Sequence, residues 1–334
     1  MTDNNDETRQ RDGGSVTTVD RDFSQSGHRD GTNETASTFA GEELVIGYSS
    51  TEEPVIEEAS IHVTPGEVTA LVGPNGSGKS TLLKGLADQL SRDSGTVRLD
   101  GTGIDELSTK ELARKLGLLS QENVSPDSLS VEKLVEHGRY PHRGFFDSLT
   151  DADQAAIDRA ISLSGIDHLR EREVGSLSGG QKQLVWIAMV LAQETGVLLL
   201  DEPTTFLDLH HQLEVMEIVE TLRDESDITV VLVLHDIDQA ARYADHMVAL
   251  KDGAIYARGS PEEMITEKLL ADVFEIDARV EQTDRGPRIE PLRPHHDDGK
   301  TEKRETAVAE QPIEPAREEI ESRGRSDYTE HVNN

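Results

Sequence analysis

The sequence predicts an α/β fold built on a parallel β-sheet, and three observations carry that expectation. Two short apolar runs, Val197–Leu200 and Thr229–Leu234, alternate with helical stretches, as strands buried on both faces of a parallel sheet do. A further apolar strand, Ala70-Leu71-Val72, enters a glycine-rich loop and then the helical run Leu82-Leu83-Lys84-Gly85-Leu86. Early in the chain lie short β-like runs at Leu44–Tyr48, Val55–Val63, Val68–Val72 and Thr96–Leu99, separated by turn pairs such as Pro65-Gly66 and Asp100-Gly101. Between these two regions, Val131–Leu169 reads as mostly helical. There Thr150-Asp151-Ala152-Asp153 has the form of a capped start, with Ile157 and Ile161 four apart on one face.

Composition bounds the rest. The 334 residues hold 33 Lys+Arg against 66 Asp+Glu, a formal net charge of −33, and no Cys. The missing Cys excludes disulfides, thiolate zinc and iron–sulfur clusters, and fits a reducing compartment. Residues 1–40 carry eight acidic and four basic residues and residues 281–334 carry fourteen and nine, which leaves −24 on the body between them. Such a body repels itself at ordinary ionic strength, whereas molar salt shortens the Debye length to about 3 Å. With ten Lys against twenty-three Arg, the composition suggests a cytoplasm of high salt. It also opposes sequence-independent nucleic-acid binding, which needs a basic footprint. The first forty residues have no apolar core for a signal peptide, and no later run approaches the about 20 apolar residues of a membrane span. Residues 1–41 and 294–334 read as disordered acidic tails around one unit at 42–293, with a helical subdomain at about 122–176.

The chemistry is concentrated in three motifs. Gly73-Pro74-Asn75-Gly76-Ser77-Gly78-Lys79-Ser80-Thr81 is G-x-x-x-x-G-K-S between a strand and a helix. There backbone N–H groups and the helix N-terminus cradle phosphates, Lys79 neutralises the β and γ oxygens, and Ser80 offers a hydroxyl to Mg²⁺. Val197-Leu198-Leu199-Leu200-Asp201-Glu202 ends an apolar strand in two carboxylates. Alternation lets Asp201 join the Mg²⁺ shell while Glu202 faces an attacking water as general base, which implies hydrolysis of a nucleoside triphosphate. Third, Leu177-Ser178-Gly179-Gly180-Gln181 has capping-box spacing at the start of a helix, with glycines that let an anion approach.

With these three in this order, the chain resembles the ATP-binding cassette (ABC) ATPases over about residues 43–292, the Leu-Ser-Gly-Gly-Gln run being similar to their signature motif. The resemblance implies a P-loop NTPase of ABC type, with an antiparallel β subdomain, a RecA-like parallel-sheet core and a helical subdomain, binding ATP and Mg²⁺. It also gives roles to residues that alone have plain structural readings. Tyr48, on an early strand, resembles the aromatic platform for adenine, and Gln121 the glutamine that meets Mg²⁺ and the attacking water. Asp208 in Thr205-Phe206-Leu207-Asp208 matches the D-loop carboxylate, and His235 the switch histidine near the γ-phosphate. In the family, Lys79 of one copy and Ser178 of another face the same ATP. One motif set therefore implies a homodimer closing on two ATP molecules.

A narrower resemblance is to importer ATPases for iron(III)–siderophore and cobalamin-like chelates, closest to the ferric-enterobactin type. It rests on Gly138-Arg139-Tyr140-Pro141-His142, the run Trp186–Gln193, Thr204–Leu209 with His211-Gln212, and Ala240–His246. From residues alone, Arg139–His142 reads as a solvated turn after a helix. Where many relatives carry Arg after the signature, Leu184 stands here. The resemblance implies a peripheral subunit at the cytoplasmic face of the membrane. Its partners are permease subunits, received around Gln121–His142, and indirectly an extracellular substrate-binding protein. The competing readings are a cobalamin or haem importer, a soluble cassette ATPase, and a nonhydrolytic adaptor, the last opposed by Glu202 and His235. The His295-His296 pair is assigned no metal.

Overall fold

Alternating strands lead the chain. In the computed structural model, which describes residues 37–295 apart from 51–52, 122, 125, 145–146 and 284–285, β1 (Phe39–Ile46) and β2 (Ile56–Val63) each bury only part of their residues. They pair antiparallel. The chain then leaves for β3 (Val68–Val72) and α1 (Lys79–Leu86), and returns through β4 (Arg92–Leu99), which pairs with β1 and with the short β5 (Thr102–Gly103). The result is a four-stranded sheet of order β2-β1-β4-β5.

After α2 (Thr109–Ala113) come β6 (Leu116–Leu119), α3 (Val131–Glu136), a 3-10 turn at His137–His142, α4 (Asp151–Leu163) and α5 (Gly179–Leu191). β7 (Val197–Asp201), α6 (Leu209–Glu225), β8 (Thr229–Val233), α7 (Ile237–Tyr243), β9 (His246–Lys251) and β10 (Ala254–Gly259) follow. The order β10-β9-β3-β8-β7-β6 forms the central sheet, parallel except for the antiparallel edge strand β10. β3, β7 and β8 are buried at every position, as a sheet covered on both faces requires. Alternation sends Leu71, Leu199, Val231 and Leu250 into one core with β1, β2, β4 and the α1 leucines. The intervening Ala70, Leu200, Leu232 and Ala249 enter a second core with α5, α6 and α7. At about 25 cal/mol per Å² of apolar area, these two cores are the main favourable term in the fold.

α3 and α4 extend the second core by packing Val135, Ile157 and Ile161 against Val185 and Ala188 of α5. α4 starts where its sequence says: Thr150 and Asp153 form a capping box. The segment after α3 differs from a solvated turn. Gly138 and Arg139 are buried, and Arg139 donates to Asp153 Oδ1 (2.9 Å), to the Ala192 carbonyl (2.8 Å) and to Glu194 Oε2 (2.9 Å). This guanidinium ties α4 to the end of α5, because three acceptors converge where only a planar fork reaches them all. Leu184 is also buried, in the second core. The structure makes this a packing position.

The boundaries also move. β1 begins at Phe39, inside the stretch read from composition as tail, because Phe39 is 2% exposed in the first core. Tyr48 lies beyond the end of β1 rather than on a strand. Four strands, β9, β10, β11 (Ile276–Thr283) and β12 (Gly286–Pro294), lay unread in the C-terminal third. α8 (Pro261–Met264) and α9 (Glu267–Phe274) precede the β11–β12 hairpin, which sets Ala278 and Ile289 in the second core. His295 N–H donates to the Glu275 carbonyl, closing the hairpin's base. The remainders of both expected tails lie outside the described residues. Among those described, no helix is long and apolar enough to cross a membrane.

Candidate functional site

A parallel sheet collects its loops at the carboxyl ends of its strands, and that edge is where ligands bind in open α/β sheets. Here the phosphate loop follows β3, Asp201 ends β7, Gln121 lies two residues past β6 and His235 two past β8. In the loop Gly73, Gly76 and Gly78 have φ of 146°, 81° and 96°, angles at which other residues are strained. Lys79 is buried and donates 2.9 Å hydrogen bonds to the Gly73 and Pro74 carbonyls, which hold its ammonium over the loop. Burial lowers its pKa, opposed by the charges of Glu202 and Asp201.

Ser80 Oγ donates to Asp201 Oδ1 at 2.7 Å. Asp201 is fully buried, and burial pushes its pKa up against the Ser80 hydrogen bond and the Lys84 charge. Its Oδ2 has no hydrogen-bond partner, and Lys84 Nζ stands 3.9 Å away. An orphaned carboxylate oxygen beside a Ser hydroxyl fits Mg²⁺, which takes one or two carboxylates and completes its octahedron with water and phosphate.

Glu202 sits at φ 52°, outside the comfortable region for a non-glycine residue. That bend aims its carboxylate away from Asp201 and into a clamp. Oε1 is 2.6 Å from His235 Nε2, and Oε2 accepts from Gln121 Nε2 at 2.7 Å and from Thr205 Oγ1 at 3.1 Å. Two recesses meet here. One, of about 160 Å³, is lined by Asn75, Gly76, Lys79 and Ser80. The other, of about 630 Å³, is lined by Gln121, Thr205 and Gln239, and both share Glu202 and His235. Tyr48 lies beside the first turn of α1, its hydroxyl 3.4 Å from Thr81 Oγ1.

Lys79, Ser80, Asp201, Glu202, Gln121 and His235 thus come together, while Ser178–Gln181 and Asp208 line neither recess. Ser178 caps α5 in a reciprocal box with Gln181. Gly179 faces open space, and a Cβ on Gly180 would lie 2.3 Å from the His211 ring. His211 Nδ1 is 2.9 Å from Asp208 Oδ1, the carboxylate that caps α6. The signature segment and Asp208 are therefore joined through one imidazole.

Sequence reasoning missed Thr205, Lys84 and the linking role of His211. Lys84 stands four residues after Ser80 on one helix face, which is a readable signal. Thr205 reaches Glu202 through a turn closed by the Thr205 amide on the Glu202 carbonyl, and His211 acts only through a glycine distant in sequence. Neither leaves a pattern in the chain.

The ABC transporter family model matches residues 56–205. Among curated proteins, the ferric enterobactin transport ATP-binding protein FepC of Escherichia coli (strain K12) is 44% identical over 241 residues, 72% of this chain and 88% of that protein. The iron(3+)-hydroxamate import ATP-binding protein FhuC of Bacillus subtilis (strain 168) is 42% identical over 243 residues, 73% of this chain and 90% of that protein. Among solved structures, the dimeric structure of a bacterial ABC transporter cassette aligns with a TM-score of 0.60 at 26% identity, over 66% of this chain and 98% of that one.

Proposed function

The chain belongs to the ABC transporter family, as one of its ATP-binding proteins, and from that premise we propose that it hydrolyses ATP to power uptake of an iron(III)–siderophore-type chelate through a separate membrane permease. The observation that carries hydrolysis is the Glu202 carboxylate, held by Gln121 and His235 beside the phosphate loop. Bound Mg²⁺, held by Ser80 and Asp201 with Gln121 at its edge, would neutralise charge on the phosphate oxygens. The loop's N–H groups and Lys79 bind the phosphates, and Tyr48 stacks on adenine. Glu202 takes a proton from the attacking water, and His235 positions that carboxylate and the γ-phosphate.

Ser178–Gln181 and Asp208 need a second copy to reach nucleotide, so the working form is a homodimer closed on two ATP molecules. The chain sits at the membrane's cytoplasmic face, where integral permease subunits engage the surface around Gln121–His142, and an extracellular binding protein delivers the chelate. The cargo assignment rests on the relatives' iron–siderophore functions. The charge of −33 supports work in concentrated salt, where screening relieves self-repulsion.

The test is ATP hydrolysis in about 2 M KCl, with and without the permease in lipid and its ligand-loaded binding protein. Stimulation by the loaded binding protein is expected, and the chelate that works names the cargo. Brisk hydrolysis indifferent to any permease would overturn the importer reading.

A further inference from the structure

At the amino-terminal end of β3, opposite the phosphate loop, a cavity of about 220 Å³ opens where β2 meets β9 and β10. It shares no residue with the two nucleotide recesses. Its polar lining is Arg258, His62, His246, Ser60, Thr64 and Thr69, with no carboxylate among the lining residues. In a chain of charge −33, a carboxylate-free basic pocket is a departure that needs a reason.

Three details point to a ligand. Thr69 is 2% exposed and its Oγ1 has no hydrogen-bond partner, a state that costs about 1–3 kcal/mol unless something accepts or donates there. The exposed side chains of Arg258 and His62 make no hydrogen bond or ion pair with another described residue and are free to meet a ligand, whereas Arg92, Arg139, Arg143, Arg159 and Arg170 are each paired with a carboxylate. Ser60 Oγ accepts from the Glu43 amide, which leaves its own O–H to donate into the cavity. Two carboxylates stand beside the lining without belonging to it: Glu67, met by His246 Nε2 at 2.7 Å, and Glu263, whose Oε2 lies 2.9 Å from where a Cβ on Gly259 would sit and accepts from the Ser260 amide.

We infer that this cavity binds a small multivalent oxyanion of the carboxylate or phosphate class. Arg258 supplies the planar fork that such groups take bidentately, His62 a second nitrogen donor, and Ser60, Thr64 and Thr69 supply hydroxyls. Ile61, Met247, Val248, Ile255 and Gly259 form the rest of the wall, and their low polarity strengthens each charged contact. With a water occupying about 30 Å³, the space suits an anion of a few to a dozen heavy atoms. Because β2 belongs to the antiparallel sheet and β9 and β10 to the central one, the anion bridges the two sheets and stabilises their junction by linkage.

The experiment uses the full chain saturated with a nonhydrolysable ATP analogue and Mg²⁺, so that the γ-phosphate position is filled as well. Succinate, a weak Mg²⁺ ligand, and inorganic phosphate are titrated separately at constant ionic strength against KCl, read by calorimetry and by melting temperature. Saturable binding of at least one probe is expected, and which one binds separates the two sources of the charge. Arg258→Gln should weaken it at least about tenfold while leaving basal ATP turnover unchanged. Thr69→Val should weaken it less and raise the melting temperature of the anion-free protein, since the orphaned hydroxyl is gone. Binding no stronger than KCl produces for both probes, or equal affinity in wild type and Arg258→Gln, would overturn the proposal.

Discussion

Replacing Arg139 by Met removes one partner of a buried ion pair while keeping most of its aliphatic volume. The Arg139 and Asp153 side chains are each 6% exposed, so neither is screened by solvent. Arg139→Met leaves the Asp153 carboxylate with only its Thr150 cap and strands the Ala192 carbonyl, which now accepts a 2.8 Å bond from the guanidinium. Removing one member of such a pair costs about 3–5 kcal/mol, because the remaining charge stays buried. For an ordered body of this size that is about 6–20 °C in melting temperature. The single Trp, Trp186, lies on α5, the helix whose end Arg139 holds. Urea denaturation followed by its fluorescence reads the loss where it arises. The Arg139→Met, Asp153→Asn pair should recover part of it, with a coupling of about 1–3 kcal/mol. A loss for Arg139→Met below about 1 kcal/mol, the range of an exposed pair, would show that the guanidinium does not fasten the helical region and would refute the argument.

Three further outcomes follow from the same geometry. Burial works to raise the Asp153 pKa, but the Thr150 hydroxyl and amide with the Arg139 guanidinium outweigh it and hold the group at about 2, below the ordinary 3.8. The folded state binds the proton more weakly, so the contribution, at most about 2 kcal/mol, is complete above pH ~4 and lost as pH falls through ~2. The stability gap between wild type and Asp153→Asn should accordingly be flat from pH 5 to 7 and shrink below 4, and a gap that grows on acidification contradicts the assignment. Glu202→Gln should lower ATP turnover by about 10²–10⁴-fold with nucleotide affinity retained, measured by single-turnover hydrolysis beside equilibrium ATP binding; full turnover would remove Glu202 as base. Gly180→Ala forces the His211 ring from its seat 2.3 Å from the new Cβ. Turnover should fall about tenfold or more without loss of ADP binding to the monomer, and unchanged turnover would separate this contact from function.

The catalytic edge was legible because each of its parts sits at the end of an apolar strand, where burial and chemistry are written in neighbouring residues. Val197–Leu200 announces a strand and Asp201-Glu202 its end. The positive φ of Glu202, by contrast, has no sequence signal, since glutamate ordinarily avoids that region. The β-like run Leu44–Tyr48 reads as one strand, yet β1 shifts register twice against β2 and stops at Ile46. Arg139 was unreadable for a different reason. Its three acceptors come from Asp153, Ala192 and Glu194, and no local pattern reports a convergence across more than fifty residues. The C-terminal hairpin hides behind its composition, as β11 and β12 are charged and mostly exposed and only Ala278, Pro287 and Ile289 are buried.

The place of β3 in the central sheet also governs how this chain comes off the ribosome. Its two neighbours are β8 and β9, the nearer of which begins 157 residues after β3 ends, from Val72 to Thr229. At about 5–20 residues per second of synthesis, the strand beneath the phosphate loop waits about 8–30 s for its first partner. Until then Val68–Val72 is an apolar edge with both ladders open, a liability for a nascent chain. Nucleotide capture is therefore a late event in the birth of this protein. Cells that truncate its message before β8 would make polypeptides with a complete phosphate-loop sequence and neither neighbour of β3 to hold it.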